Sequence, residues 1–519
     1  MNQALFYNGT ILTMEDGAAP QAVLTEDGLI RAVGTLAELE ALAPDAARRD
    51  LSGRTLMPAF LDPHSHLTAL ASTLDLCPLG SAASFGDIAR LLLAFQKARG
   101  MAPDQWLIGF GYDHNVLAER TQPDRHTLDG AFPETPVLIS NASGHMGAVN
   151  SAALKLLNIT AGTPDPEGGR IGREADGRTP SGYLEENAFI RLASSMPGPS
   201  PEQAARNVER AEEIYLSHGV TLIQDGLTDA GRYALLSAAH LKTEAVGYAD
   251  LKNSLALIDK PHIGGYKIFL DGSPQGRTAW MLKPYASNPP DQPGYCGYPI
   301  YTDEEVTGFV RTALTQGKQL LAHCNGDAAA AQYIRCCRAA QEETGLRIAD
   351  IRPVMIHAQL VRREQLEEMK ELGIIPSFFA AHLWYWGDIH AENFGPDRAA
   401  SISPLGWAEE LGLPFTLHQD TPVIQPDMLE TVWCAVNRLT REGKTLGPAL
   451  KLSPMAALRA VTLHAAYQYF REETLGSIRP GKQADLIVLS ADPTAVAPMD
   501  IRSIRVLETI HRGKTVWQA

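Results

Sequence analysis

"LMPAFLDPHSHL", residues 56–67, runs from a short apolar segment through Asp62 and Pro63 to two histidines, His64 and His66. In an extended segment the side chains at i and i+2 point the same way, so both imidazoles project from one point. A surface loop with two incidental histidines would read the same locally. The rest of the chain has to separate that reading from a metal-binding pair.

This run is the first of eight. The others are "GVTLIQD" (219–225), "TEAVGYAD" (243–250), "YKIFLDG" (266–272), "QLLAHC" (319–324), "PVMIHA" (353–358), "GIIPSFF" (373–379) and "LPFTLHQD" (413–420). Several end in a polar or ionisable residue. Helical signals lie between most of them. Ser200-Pro201-Glu202-Gln203 places an N-cap, a proline at the first helical position and a glutamine at the capping-box position. Thr302-Asp303-Glu304-Glu305 starts a second helix that should stop at Gly317, and 361–372 a third that should stop at Gly373. Continuous apolar strands alternating with helices predict a parallel sheet buried on both faces. Eight of them predict an α/β fold, a (β/α)8 TIM-like barrel, whose strand C-termini gather at one mouth. Residues far apart in sequence would then converge.

The first two strands are separated by about 150 residues, far more than a βα unit needs. The intervening sequence has strand-like pieces of its own, "WLIGFGYDHN" (106–115) and "PVLISNASGHMGAVN" (136–150). It reads as an insertion over about 75–200 that forms a lid or substrate subdomain. Residues 1–55 and 466–519 are rich in short alternating strands with glycine turns, and are expected to pair into one composite β-sandwich. The barrel then occupies 56–465.

A net charge of -15 and the lack of a Lys/Arg-rich run argue against a nucleic-acid surface. No apolar run approaches the roughly 20 residues of a membrane span, and the start lacks a signal-peptide pattern. Six cysteines in 519 residues are no disulfide framework. A reduced cytoplasmic enzyme acting on a small molecule is expected, with no nucleic-acid or membrane partner.

Five strand ends carry groups suited to a metal. They are His64 and His66 on the first, Lys267 on the fourth, His323 on the fifth, His357 on the sixth and Asp420 on the eighth. A lone strand-end histidine is most often structural, but four at three strand ends with a carboxylate at the last point to a metal. Imidazole and carboxylate donors with an open position suit Zn²⁺, and could hold Mn, Fe or Co. A lysine cannot ligate as an ammonium. Lys267 would have to lose its proton, or react with CO₂ to become an anionic carbamate. Its structural alternative is a barrel lysine paired with Asp271.

The ordered set "LMPAFLDPHSHL", "GVTLIQDG", "YKIFLDGSPQGRTAW", "LAHCNGDAA", "IHAQLV", "DTPV" and "GSIRPGKQADLIVL" resembles the amidohydrolase superfamily of metal-dependent hydrolases. Within it, the pattern is similar to the branch that includes N-substituted formamide deformylases, and the likeness runs nearly end to end. The resemblance implies that His64 and His66 hold one metal and His323 and His357 another, with a carboxylated Lys267 bridging them. It also implies that Asp420 binds metal and takes the proton from the attacking water. The site would hold one or two Zn²⁺ per subunit, and barrels of this type often form dimers.

Other positions are expected around that centre. His145 matches a family histidine that faces the substrate, and His382 matches one near the pocket; both are catalytic candidates. Arg277 could hold a substrate carboxylate or clamp a loop. Asp271, Tyr112 and Trp386 are substrate-side candidates, with Asp113 beside Tyr112, and Trp384 and Tyr385 as pocket wall. Asp327 reads as the group that orients His323. Two departures stand out: "HQDTPV" places His418 and Gln419 where the family more often has Gly-Ser, and "MIHAQ" lacks the usual Glu.

The predicted activity is hydrolysis of a C–N, amide-type bond in a small N-substituted or N-acyl compound by metal-activated water. The alternatives are a deaminase or cyclic-amide hydrolase on the same scaffold, or a non-catalytic barrel that merely holds a metal.

Overall fold

The computed structural model describes residues 3–17, 19–102, 104–196, 198–288 and 292–519. Two compact units divide the chain: Met1–Thr68 with Val208–Ala519, and Ala69–Asn207. The inserted unit therefore starts earlier and ends later than the turn-rich composition of 75–200 indicates. Its boundaries fall within helical sequence that carries no glycine or proline marker.

The first unit is built around eight parallel strands. In chain order they are β1 (Phe60–Leu61), β2 (Val220–Thr228), β3 (Glu244–Asp250), β4 (Ile263–Phe269), β5 (Gln319–Cys324), β6 (Val354–His357), β7 (Ile375–Phe378) and β8 (Thr416–Leu417), each hydrogen-bonded to the next. Past the ends of β1 and β8 the backbone closes the circle. Asp420 N–H donates to the His64 carbonyl (3.3 Å), and His66 N–H to the Thr421 carbonyl (2.9 Å). The apolar runs are buried on both faces, as a sheet covered by helices requires. Inside, Leu61, Leu222, Tyr248, Leu321, Val354, Ile356 and Ile375 pack with Ala465, Ala466 and Leu475 into one core. This is the α/β barrel that the eight runs predict.

The connecting helices start where their caps predict. Thr302 and Glu305 form a reciprocal capping box at α1 (Asp303–Thr315). The next helix, α2 (Asp327–Thr344), covers β5 and β6, and α3 (Arg363–Leu372) ends on Gly373 in the left-handed conformation. After β7 comes α4 (His382–Phe394).

Both chain ends contribute to a second region of this unit. Thr10–Ile11 and Thr55–Pro58 lie in one five-stranded sheet with Leu486–Leu489, Val506–His511 and Lys514–Gln518. A four-stranded sheet from residues 3–50 faces the same core, which holds Phe6, Val23, Leu56, Ile478, Leu486 and Ile510.

The inserted unit has its own six-stranded sheet and two apolar cores. Tyr112 is buried in one of them, and its hydroxyl donates to Gln122 Oε1 at 3.0 Å. The expectation that Tyr112 contacts substrate is therefore corrected: its ring is core and its hydroxyl is already engaged. Among the described residues no helix is long and apolar enough to cross a membrane.

Candidate metal centre

Barrel closure brings His64 and His66, just past β1, against Asp420, just past β8. Asp420 Oδ1 lies 3.3 Å from His64 Nε2 and 3.2 Å from His66 Nε2. Lys267 on β4 reaches in from the floor, its Nζ 3.4 Å from His64 Nε2. His357 Nε2 at the end of β6 is 4.0 Å from Asp420 Oδ2, and the rings of His357 and His323 meet edge to face at 4.6 Å. The six residues expected at the barrel mouth stand together.

The hydrogen bonds behind the rings fix their tautomers. Gln224 Nε2 donates to the Pro63 carbonyl (2.7 Å) and to the Tyr469 hydroxyl oxygen (2.9 Å), so its Oε1 is the atom that faces His64 Nδ1 at 2.7 Å. His66 Nδ1 faces the Gly226 carbonyl at 2.7 Å. Both Nδ1 atoms must carry hydrogen, so in the neutral ring Nε2 is the bare lone pair. Burial, and then the charge of Lys267, push His64 down to about 3, so it stays neutral at physiological pH.

The Nε2 atoms of both rings thus face one carboxylate. Asp420 Oδ1 is buried with no hydrogen-bond donor. Acceptors facing acceptors in a dry site are costly unless a cation lies among them. Each of the three residues offers one donor atom, all within 4.8 Å of one another. The donor set fits a divalent cation of the zinc class.

The site includes strained backbone. His357 (φ 75°), Ala358 (φ 46°) and Asp420 (φ 55°) hold left-handed conformations without being glycine. Such conformations cost on the order of 1–3 kcal/mol each and persist where the surroundings impose them. At Gly226 the reason for glycine is close approach: a Cβ would stand 2.9 Å from His64 Cε1 and 3.0 Å from His66 Cε1.

Lys267 is fully buried, and burial lowers its pKa to about 7, with Asp420 opposing the shift. Its neighbour is His64, and the pairing with Asp271 offered by the structural alternative does not form. Asp271 is instead saturated. It accepts backbone N–H groups from Asn325 (2.9 Å), Gly326 (2.7 Å) and Trp280 (3.0 Å), and its Oδ1 is 3.4 Å from His323 Nδ1. One expectation is corrected: Asp271, and not Asp327, lies beside His323, while Asp327 receives Leu282 N–H at 2.8 Å. Asp62, buried at the head of the segment, accepts His64 N–H at 3.2 Å and fixes the loop.

Arg277 sits in a left-handed conformation and donates to the Ser287 carbonyl at 2.7 Å, so it clamps a loop. This is the loop contact that the sequence reading gave as the alternative to holding a substrate carboxylate. His382, at the start of α4, is buried beside Phe379 and Trp386, with ring centroids 4.6 and 4.5 Å away. Its Nδ1 is 3.1 Å from His390 Nε2. His145 belongs to the inserted unit, where its Nδ1 is 3.0 Å from Glu186 Oε2. Sequence reasoning missed Gln224 and Gly226, although both stand in the quoted β2 run "GVTLIQDG".

Comparison with known proteins shows the family. A model described as "Amidohydrolase family" matches residues 47–517, and an imidazolonepropionase-like composite domain matches residues 22–46. The chain is 29% identical to an N-substituted formamide deformylase of Arthrobacter pascens, over 99% of this chain and 98% of that one. It is 27% identical to "Protein LONG AFTER FAR-RED 3" of Arabidopsis thaliana, over 99% of this chain and 91% of the other. Among solved structures, an uncharacterised metal-dependent hydrolase of Pyrococcus horikoshii OT3 superposes with a TM-score of 0.75 at 24% identity, covering 96% of this chain and 99% of that chain; this supports the fold. With a family match that takes in every strand of the barrel, the chain belongs to the amidohydrolase family.

Proposed function

We propose that this chain is a metal-dependent amidohydrolase that cleaves a C–N, amide-type bond of a small N-substituted or N-acyl compound, with N-substituted formamides as the first class to test. The observation that carries the reading is the carboxylate of Asp420 facing the bare Nε2 atoms of His64 and His66. The full-length likeness to a formamide deformylase supports the substrate class.

His64, His66 and Asp420 would hold the cation, with His323 and His357 beside them and Lys267 between. Bound there, a divalent cation supplies Lewis acidity that polarises a carbonyl and lowers the pKa of water from 15.7 towards about 7. Lys267, held near neutrality by burial, can lose its proton, add its amine nitrogen to CO₂ and become a carbamate anion, releasing one proton. Asp420 accepts the proton of the attacking water and returns it to the departing amine nitrogen. Gln224 and the Gly226 carbonyl keep the two imidazoles in the tautomer this requires. His382 and Trp386 form one side of the substrate pocket in this reading.

The test is release of formate or acid and of amine from a panel of N-substituted formamides, N-acyl amines and cyclic amides. Zinc-loaded protein should turn over at least one class, and Asp420→Asn should lose that turnover by about 10²-fold or more. Retained turnover in Asp420→Asn would remove the proton-transfer role.

A further inference from the structure

The Nδ1 of His357 faces another imidazole and no carboxylate. It is 3.1 Å from Nε2 of His418, and His418 Nδ1 is 2.8 Å from Ser377 Oγ. All three are buried, and they come from the ends of β6, β7 and β8. Their placement follows from the register: Ser377 pairs with Thr416 and His357 with Phe378, while His418 N–H donates to the Phe378 carbonyl at 3.1 Å.

A hydrogen-bond chain of this kind can run in either direction, because the serine hydroxyl and each imidazole both donate and accept. If it ran from Ser377 to His418 to His357, the remaining hydrogen of His357 would sit on Nε2 and block that atom. If it runs the other way, His357 Nδ1–H donates to His418, His418 Nδ1–H donates to Ser377, and His357 Nε2 is a bare lone pair. That atom lies 4.0 Å from Asp420 Oδ2. A cation between them selects the second direction.

We propose that His418 is a positioning residue for His357: together with Ser377 it takes up the Nδ1 hydrogen and turns Nε2 toward Asp420 as a cation donor. This rests on the cation reading of the preceding section. A neutral imidazole raises the basicity of a ligand less than a carboxylate partner does.

The experiment is Co²⁺ binding to metal-stripped full-length protein by equilibrium dialysis, arranged as a double-mutant cycle. His418→Leu should weaken Co²⁺ binding by about tenfold or more, and His418→Gln, which keeps an acceptor in place of Nε2, should stay within about threefold of the parent. In a His357→Ala background the His418→Leu change should have no further effect. Parent-like binding by His418→Leu, or an equal loss in both backgrounds, would overturn the proposal, the second because it marks a merely structural role. Should His418→Leu fail to fold by circular dichroism, Ser377→Ala carries the same cycle with an expected loss of about threefold; unchanged affinity there overturns it equally. Absence of Co²⁺ binding by the parent protein would instead remove the underlying cation reading, and this inference with it.

Discussion

Asp271 Oδ1 stands 3.4 Å from His323 Nδ1 while the same carboxylate receives three backbone N–H groups from the β4 and β5 loops. One side chain therefore fixes both the loops and a candidate ligand. Asp271→Asn puts an amide N–H against at least one of those backbone donors. Stripped protein should lose about 1–3 kcal/mol of stability in urea unfolding, since a buried donor is left unpaired. Divalent-cation affinity should fall by about 10–100-fold. Unchanged values in both measurements would contradict the positioning role.

Gly226→Ala tests the tight packing behind the histidine pair. The added Cβ would sit about 3 Å from carbons of both rings, closer than such atoms approach. The rings must rotate or the β2 backbone must move. Cation affinity and turnover should both drop about tenfold or more, with a modest change in urea midpoint. Wild-type cation affinity in this variant would show that the rings are not held where they are described.

Lys267 is buried, and burial lowers its pKa to about 7, which brings the free amine within reach at neutral pH. Protein equilibrated with ¹³C-bicarbonate should show a carbamate resonance that disappears in Lys267→Met. Its absence from the wild-type protein would remove carboxylation and leave a cation site built on the histidines and Asp420.

Away from the site, Glu244 lies between Arg471 and Arg512, each 2.8 Å away. Burial raises the carboxyl pKa, but the two guanidiniums outweigh that and hold it below the ordinary carboxylate value. A group with a lowered folded-state pKa stabilises the fold above its unfolded value, and loses that contribution as pH falls through the folded value. Glu244→Gln should therefore lower the urea midpoint near about pH 7, by about 1 kcal/mol or less for a partly exposed cluster. The gap to wild type should close as pH falls below the ordinary glutamate range. A gap that stays constant with pH would contradict the assignment.

Much of the fold was legible because the barrel strands are continuous apolar runs with helical caps between them. The ends of those runs also carried His64, His66, Lys267, His323, His357 and Asp420, which closure brings together. The partners of those groups were not legible, because they depend on register across strands. Asp271 reads as a loop acid beside Arg277, and only the β4–β5 pairing turns it onto His323. Asp327, one helix start away, looked equally suited, yet it caps the Leu282 N–H. Tyr112 carries a polar hydroxyl and a glycine neighbour, a pattern that fits a loop as well as the core strand it occupies. Gln224 looks like any strand glutamine until Pro63 and Tyr469 are seen to fix its amide.

The central claim is that His64, His66 and Asp420 hold a divalent cation on which hydrolysis depends. The most direct measurement is elemental analysis of the purified protein, before and after chelation, paired with turnover of an accepted amide. At least about one equivalent of a divalent metal per chain is expected, with activity lost on stripping and restored by Zn²⁺, and with both metal and activity lost in His64→Ala/His66→Ala. Full turnover by metal-free protein, or undiminished metal content in the double variant, would contradict it.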